Sequence, residues 1–408
     1  MKLLYLHQYF ATPEVNAGTR SYEVAKRLVA NGHDVTFITS SALLSGKYAF
    51  TKGWNELNIE GIKLHVLYLP YSNKDSFMNR IYKFIQFSVF STVKSLKFSC
   101  DAVFATSTPL TIAIPGLIYS KIKKKPLVFE VRDLWPELPI AMEVIKNPII
   151  IKFAKWLEKY TYQNSKRLIG LSPGMCDGIE RHGINPKHIT LATNSCDTEL
   201  FNVPKNIGER YIYEKIPYLN GRKLVVYTGT FGLINNVGYL PKLARAVKEI
   251  DGNICFIAIG DGMEKESVIS EAEKLGVLND NLFILTPVPK TEIVELLSAA
   301  DLSLSLFAPI PEMWHNSANK LFDGLASSTP IAINYGGWQY DFIHENKCGI
   351  TLECDDVVSS AETISKFLSN ADVYKQAVKR CNYLANNDFS RDVMVNRIEQ
   401  TLQDAIND

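Results

Sequence analysis

The stretch that decides the fold is Pro311–Ile331, PEMWHNSANKLFDGLASSTPI. It opens with a polar, irregular turn (His315, Asn316, Ser317, Ala318, Asn319). It then runs into a helical pattern in which Leu321, Phe322 and Leu325 share one face. Ser327-Ser328-Thr329-Pro330 stops the helix, because proline cannot continue it and restrains the residue before. The apolar strand Ile331–Ile333 follows. A loop feeding a helix N-terminus aims unpaired backbone N–H groups and the positive end of the helix dipole at one spot, and such spots bind anions. Lys320, in the first turn, adds a mobile positive charge. Asp323, one turn further in, is short enough to accept hydrogen bonds from a vicinal diol. A phosphate and a ribose at that separation make a nucleotide. On these residues alone, an ordinary capped helix in a βα unit accounts for the stretch equally well.

Working outward, 408 residues suit two domains better than one. A hydrophobic content of 46% with 21% charged residues describes a soluble globular chain with a sizeable core. The net charge of +1 points to no partner by itself. The seven cysteines are scattered, odd in number and never in a CxxC pair. That argues against a disulfide framework or a zinc site and for a reducing cytoplasm. The N-terminal MKLLYLHQYF reads as a strand, not as a signal peptide, and no apolar run is long enough for a spanning helix.

Along the first half, strands are expected at 2–9, 34–40, 62–68, 102–105, 127–131, 168–171 and 189–192, with a helix over 21–31. Residues 46–58 read as a loop and 202–221 as a polar linker. The second half repeats the alternation, from VVYTGTFG through Gly260-Asp261-Gly262 to a strand at 302–306 that leads into the opening stretch. Parallel βα alternation implies two doubly wound α/β domains, whose ligands bind at the carboxyl ends of strands. Boundaries are expected at 1–202 and 203–389, with the charged amphipathic helix 390–408 packing back on the first domain. Gly18, just before the first helix, would let a ligand approach the backbone, and a plain loop glycine explains it as well.

Residues 76–98 read as a helix. At about 100° per residue, Arg80, Lys83, Lys94 and Lys97 share a face with Phe87 and Phe90, opposite Ile81, Ile85, Val89, Val93 and Leu96. Turned outward, the basic aromatic face suits an anionic membrane surface, and a solvated basic face is the plainer reading.

With those loops placed, the whole chain resembles the family 4 glycosyltransferases of the GT-B fold. NAGTR before a helix, NGHDVTFIT, TSTPL, EVRDLWPE (130–137), TNSCDTELF (193–201), YTGTFG, IGDGMEK and the 315–330 segment follow in the family's order. EVRDLWPE is similar to the branch that builds bacterial O-antigen and capsular polysaccharide. The resemblance implies two Rossmann-like domains facing a central cleft. It implies a retaining transferase moving a sugar, an N-acetylated hexosamine or deoxyhexosamine, from a UDP-linked donor to a lipid-linked saccharide. Such an enzyme would be cytoplasmic, peripheral on the inner face of the membrane, and would not bind nucleic acid. Donor contacts would come from Gly18, Arg20, Gly229, Thr230, Asn316, Ser317, Ala318, Asn319, Lys320 and Asp323. Asp133, Arg132 and His315 would serve the chemistry.

The chain also departs from the family pattern. The family's Glu-x7-Glu falls on His315 and Asp323, which leaves the donor sugar open. The Arg and Lys that usually follow the glycine loop are Leu233 and Asn235 or Asn236. Diphosphate charge would then rest on Lys320, Arg20 and helix N-termini. No DxD metal motif stands out and no cofactor is required. A divalent cation such as Mg2+ is compatible but implied by no motif. A GT-B sugar-nucleotide epimerase and a non-catalytic nucleotide-sugar-binding subunit are the alternatives.

Overall fold

Lys2–Leu6 (β1) is followed by β2 (Asp34–Ser40), β3 (Trp54–Ile59), β4 (Ile62–Leu67), β5 (Ala102–Thr106), β6 (Leu127–Val131), β7 (Arg167–Gly170) and β8 (Ile189–Leu191). The computed structural model describes residues 1–15, 17–70 and 77–408, without the side chain of Phe77. Asn16 of NAGTR and the first residue of the helix expected at 76–98 lie outside the described residues. The chain divides into two compact units. One holds Met1–Thr193, His315–Ser317 and Asp392–Asp408, and the other Asn194–Trp314 and Ala318–Arg391.

In the first unit the strands lie in the order β3-β4-β2-β1-β5-β6-β7-β8, parallel except for β3. Register puts Tyr5 beside Phe37 and Phe104, and the rings meet at centroid distances of 4.4 and 4.5 Å. Helix α1 (Arg20–Ala30) connects β1 to β2. Helices α2 (Phe77–Ser95), α3 (Ala113–Lys123) and α4 (Pro148–Asn164) precede β5, β6 and β7. Because such crossovers are right-handed, reversing the direction of travel along the sheet places α1 on one face and α2, α3 and α4 on the other. The packing agrees: Leu4, Val103 and Phe129 share a core with Phe87, Leu117 and Leu157 of those three helices. The C-terminal helix, Arg391–Asn407, lies beside α1, where Glu399 takes Asn31 Nδ2 at 2.6 Å and His33 Nε2 at 2.8 Å.

The loop expected at 46–58 contains β3, paired antiparallel with β4. Glu60 and Gly61 turn the hairpin with φ of +50° and +83°, the left-handed pair that matches strand twist. The edge position exposes alternate residues and weakens the apolar signal.

Helix α2 is rotated from the expectation: Phe90 and Lys97 are exposed as expected, but the buried side is centred on Phe87 and the serines instead of the aliphatic residues. Phe87 is 1% exposed and joins the core, and Ser88, Ser91 and Ser95 are buried beside it. Ile85, Val89 and Val93 are each more than half exposed. The small serines pack closely, and Ser88 Oγ donates to the Thr111 carbonyl at 3.0 Å. Lys94 lies against the rings of Trp54 and Phe98 and pairs with Glu56 at 3.4 Å. Its alkyl stem covers apolar surface.

The second unit carries β9 (Lys223–Thr228), β10 (Ile254–Ile259), β11 (Leu282–Leu285), β12 (Leu302–Ser305), β13 (Ile331–Ile333) and β14 (Gly349–Thr351). All are parallel, in the order β11-β10-β9-β12-β13-β14. Every residue of β10, ICFIAI, is buried, as expected of a strand covered on both faces. The linker expected at 202–221 contains helix α5 (Lys205–Lys215). Only Gly208 and Ile212 of α5 are buried, too few for a periodic signal. Gly208 allows a close crossing of α7 (Lys290–Ala299): a Cβ there would lie 2.1 Å from the Glu295 carbonyl oxygen. Helix α6 (Tyr239–Ile250) follows β9, and α8 (Asn319–Ala326) joins β12 to β13.

Candidate functional site

In the first unit, β1 sits between β2 and β5, so the crossovers leave it in opposite directions. Ligands bind at such switch points, outside the carboxyl ends of the strands. The loops after β1, β5 and β6 meet there. Arg132 Nη1 lies 3.5 Å from His7 Nε2, and His7 Nδ1 is 2.7 Å from Ser21 Oγ. A guanidinium only donates, so Nε2 accepts and the imidazole proton sits on Nδ1. Burial, with the Arg132 charge beside it, holds the His7 pKa well below its usual value, so the ring is neutral. Gly18 faces Arg132: a Cβ there would meet Nη2 at 3.9 Å, an ordinary contact. Packing alone therefore does not demand a glycine at this position.

Asp133 accepts from Thr108 Oγ1 at 2.9 Å. Burial raises its pKa, against the Thr108 hydrogen bond and the Arg132 charge. Thr108 has φ of +84°, a genuine outlier for a β-branched residue. Conformations of this kind cluster at functional sites.

Arg20, expected at the donor phosphates, is held in an ion pair within the first unit. Nε and Nη2 donate to Glu130 Oε1 at 3.1 and 2.8 Å, and the guanidinium also reaches the carbonyls of Ala192 and Thr193. Thr106 donates to the other oxygen of Glu130. Burial would raise the Glu130 pKa, but the Arg20 charge and hydrogen bonds outweigh it and hold the pKa low. An ion pair this complete offers little net charge to a ligand. It pins the end of β6 and positions the residues that follow.

His315 also belongs to the first unit, with Asn316 and Ser317. Ser172 Oγ donates to the His315 carbonyl. Gly174 makes room for the ring, since a Cβ there would lie 2.2 Å from Nδ1. The stretch read from sequence as one loop is thus shared between units, with Ala318 onward in the second.

The second unit has its own switch point, where β9 lies between β10 and β12. The Gly229–Phe231 and Gly260–Gly262 turns cross there backbone to backbone. A Cβ at Gly260 would lie 1.8 Å from the Gly229 carbonyl oxygen, and one at Gly262 would lie 2.3 Å from that of Phe231. Gly229 has φ of +153°, and a Cβ would strike Lys320 Cε at 2.6 Å and Nζ at 2.9 Å. The Lys320 ammonium therefore lies directly over the Gly229 turn, 5.3 Å from the Tyr227 ring centroid. Tyr227 OH in turn donates to the Thr230 carbonyl at 2.9 Å. Burial lowers the Lys320 pKa to about 8, against the charge of Asp323.

Lys320 stands in the first turn of α8, whose cap residue Ala318 offers no side-chain hydrogen bond. A helix start without a side-chain cap thus carries an ammonium that lies over a glycine turn, a combination that suits an anion. One turn on, Asp323 is half-buried and 3.4 Å from Lys290 Nζ, which also lies over the Phe201 ring. Leu233 is exposed, and Asn236 Nδ2 faces Cys354 Sγ at 3.7 Å, so neither supplies a cation. Sequence reasoning missed His7, Thr108 and Lys290 as site residues. The available signals were a histidine directly after β1, the TSTP loop, and a lysine opening a helix after Pro287-Val288-Pro289.

The family model described as "Glycosyl transferase 4-like domain" matches residues 17–195, and that described as "Glycosyl transferases group 1" matches residues 212–387. No curated protein matches the sequence. Among solved structures, a glycosyltransferase from Rickettsia africae ESF-5 is similar with TM-score 0.74 and 16% identity, covering 100% of this chain and 99% of the other. The Anabaena protein HepE, solved in complex with UDP, is similar with TM-score 0.73 and 14% identity over 99% and 100% of the two chains. WaaG, a glycosyltransferase involved in lipopolysaccharide biosynthesis, is similar with TM-score 0.68 and 14% identity over 98% of each. At these identities the structures share the fold.

Proposed function

This chain belongs to the family 4 glycosyltransferases of the GT-B fold, and from that premise we propose that it moves a sugar from a UDP-linked donor to a lipid-linked saccharide, with retention at the anomeric carbon. The observation that carries the reading is the Lys320 ammonium lying over the Gly229 turn beside the uncapped start of α8. Fixed dipoles and a cation of this kind stabilise charge as it develops on a departing diphosphate. They also supply the positive charge that a resident metal would otherwise bring, so the reading calls for none. Asp323 holds the ribose hydroxyls. HepE binding UDP and WaaG acting in lipopolysaccharide biosynthesis support the donor and the acceptor class, here O-antigen or capsule assembly.

In a retaining front-face displacement, the bond from the anomeric carbon to the phosphate oxygen breaks. The acceptor oxygen bonds on the same face, and its proton passes to the departing phosphate. Asp133 orients hydroxyl groups, and Arg132 and neutral His7 shape the first unit's loops around it. His315 stands where the family usually has a glutamate at the sugar ring and is assigned to donor selection. The donor sugar proposed is an N-acetylated hexosamine or deoxyhexosamine.

A thermal-shift panel of nucleotides and nucleotide sugars tests the donor assignment. Ligand at 100 times its Kd adds about 2.7 kcal/mol to native stability. UDP and a UDP-sugar should raise the melting temperature, and ADP and GDP should do so less. Proton NMR of the anomeric signal in the transferred product tests retention. No stabilisation by any nucleotide, or an inverted product, would overturn the reading.

A further inference from the structure

We propose that the face of the first unit built by α2, α3 and α4 docks on an anionic lipid bilayer, its apolar stripes entering the acyl boundary and its lysines meeting headgroup phosphates. The proposal deepens, and takes its purpose from, the reading of a lipid-linked acceptor. Its structural grounds are independent of that reading.

Helix α2 is inside out for a helix in water. It buries Ser88, Ser91 and Ser95 and exposes Met78, Tyr82, Ile85, Val89 and Val93, which share one stripe at helical spacing. Helix α3 packs against both α2 and α4, so the three helices form one layer. On α4, Ile149, Phe153 and Trp156 recur at i, i+4 and i+7, each at least half exposed. Phe153 and Trp156 lie 5.7 Å apart, and Trp156 stacks on Tyr160 at 5.2 Å. Between α3 and α4 a groove of about 300 Å³ is lined by Ile114, Leu117, Ile118, Phe153, Trp156 and Tyr160. Single exposed apolar residues need no explanation, but a contiguous face of them marks an interaction surface.

Charge selects the occupant. In a chain of net charge +1, α2, α3 and α4 carry eight Lys and Arg residues and one acid, Glu158, which is buried. Lys152, Lys155 and Lys159 run beside the α4 stripe, and all three are exposed. Lys121 Nζ lies 4.7 Å from the Tyr160 ring centroid, at the edge of the groove. Amphipathic aromatics flanked by long cationic side chains suit the water–lipid boundary. A second copy of this chain would set one basic rim against another. Among the described residues no helix is long and apolar enough to cross a membrane, so the face would lie on the bilayer and not span it.

Co-sedimentation of the full chain with vesicles, without nucleotide sugar or acceptor, tests the proposal. Equal parts of phosphatidylglycerol and phosphatidylcholine should bind the protein at low salt, and phosphatidylcholine alone should bind little. Replacing Lys152, Lys155 and Lys159 with Gln should lower partitioning roughly a hundredfold, at about fivefold per lysine near an anionic surface. Phe153→Ser with Trp156→Ser should remove the salt-resistant part of binding. Circular-dichroism melting should show all variants folded, and Ile149→Ser offers a milder apolar probe if the double variant is not. Wild type that ignores anionic vesicles, or variants that bind as wild type does, would overturn the proposal. So would a lipid-free dimer that Phe153→Ser dissolves. Because the assay uses no UDP and no acceptor, its failure and a failure of the transfer reading are separate results.

Discussion

Thr108 Oγ1 donates to Asp133 Oδ2 at 2.9 Å, tying the loop after β5 to the loop after β6. The bond favours the ionised carboxylate, while burial, the larger influence, raises the Asp133 pKa. Asp133→Asn should leave UDP affinity near wild type while transfer falls at least tenfold, on the order of one charged hydrogen bond. Thr108→Val should raise the Asp133 pKa further, which carboxyl-carbon NMR would read directly. A native pKa above the unfolded value means stability is lost as pH rises between the two. Asp133→Asn should therefore flatten that part of the stability profile. Wild-type transfer in the Asn variant would show the contact to be structural only.

Lys320 should make nucleotide binding depend on pH. Its pKa is lowered to about 8 by burial, so the ammonium is present at neutral pH and lost above about 8. UDP affinity, measured by calorimetry, should fall as pH rises from 7 to 9, on the order of a tenfold loss per unit above the pKa. Apo stability should move the other way. The native state binds fewer protons than the unfolded chain between about 8 and 10.5, so stability rises with pH across that window. Lys320→Met should abolish both trends and weaken UDP binding tenfold to a hundredfold, the loss of about 1.5–3 kcal/mol.

Gly229→Ala tests the same geometry from the other side. The new methyl would lie 2.6 Å from Lys320 Cε, so the lysine must move off the turn. UDP affinity should drop about as far as in Lys320→Met. Combining the two changes should add little, since sites sharing one contact are not additive. Full additivity in calorimetry would place the two residues in separate roles.

Asp323→Ala should raise the Kd for UDP several times more than the Kd for pyrophosphate, because only UDP offers ribose hydroxyls. The Lys290 pair, at 3.4 Å and partly exposed, is worth about 1 kcal/mol or less. Lys290→Met should thus change stability little, and equal weakening of UDP and pyrophosphate by Asp323→Ala would assign the carboxylate to holding the loop.

Glu130→Gln should destabilise the first unit by about 3–5 kcal/mol in urea unfolding, since it leaves Arg20 buried and half-paired. The Glu130 pKa is held low, so its contribution is present above the unfolded value of 4.5 and is lost as pH falls through the native value. The Gln variant should show a shallower acid limb.

Local pattern was enough for the alternation of strands and helices, because burial on both faces writes continuous apolar runs such as ICFIAI, and proline and glycine punctuate the chain. It also exposed the loop that enters α8 and the two cationic and acidic residues, Lys320 and Asp323, one turn apart on it. Period alone misses elements whose partners are distant. Helix α5 buries too little to show one, and β3 is a half-exposed edge. The direction α2 faces was decided by what the sheet accepts, which is Phe87 and three serines, with the larger aliphatic residues left outside. The roles of individual side chains needed tertiary contacts most. Sequence shows Arg20 as a lone cation at a helix start, and only the fold brings Glu130, 110 residues away, against it. His7 gains its neutral state from burial beside Arg132. Composition and spacing determine which elements form, because those depend on neighbours in sequence. Which charge is free to meet a ligand depends on groups brought together from far along the chain, and only the folded structure decides that.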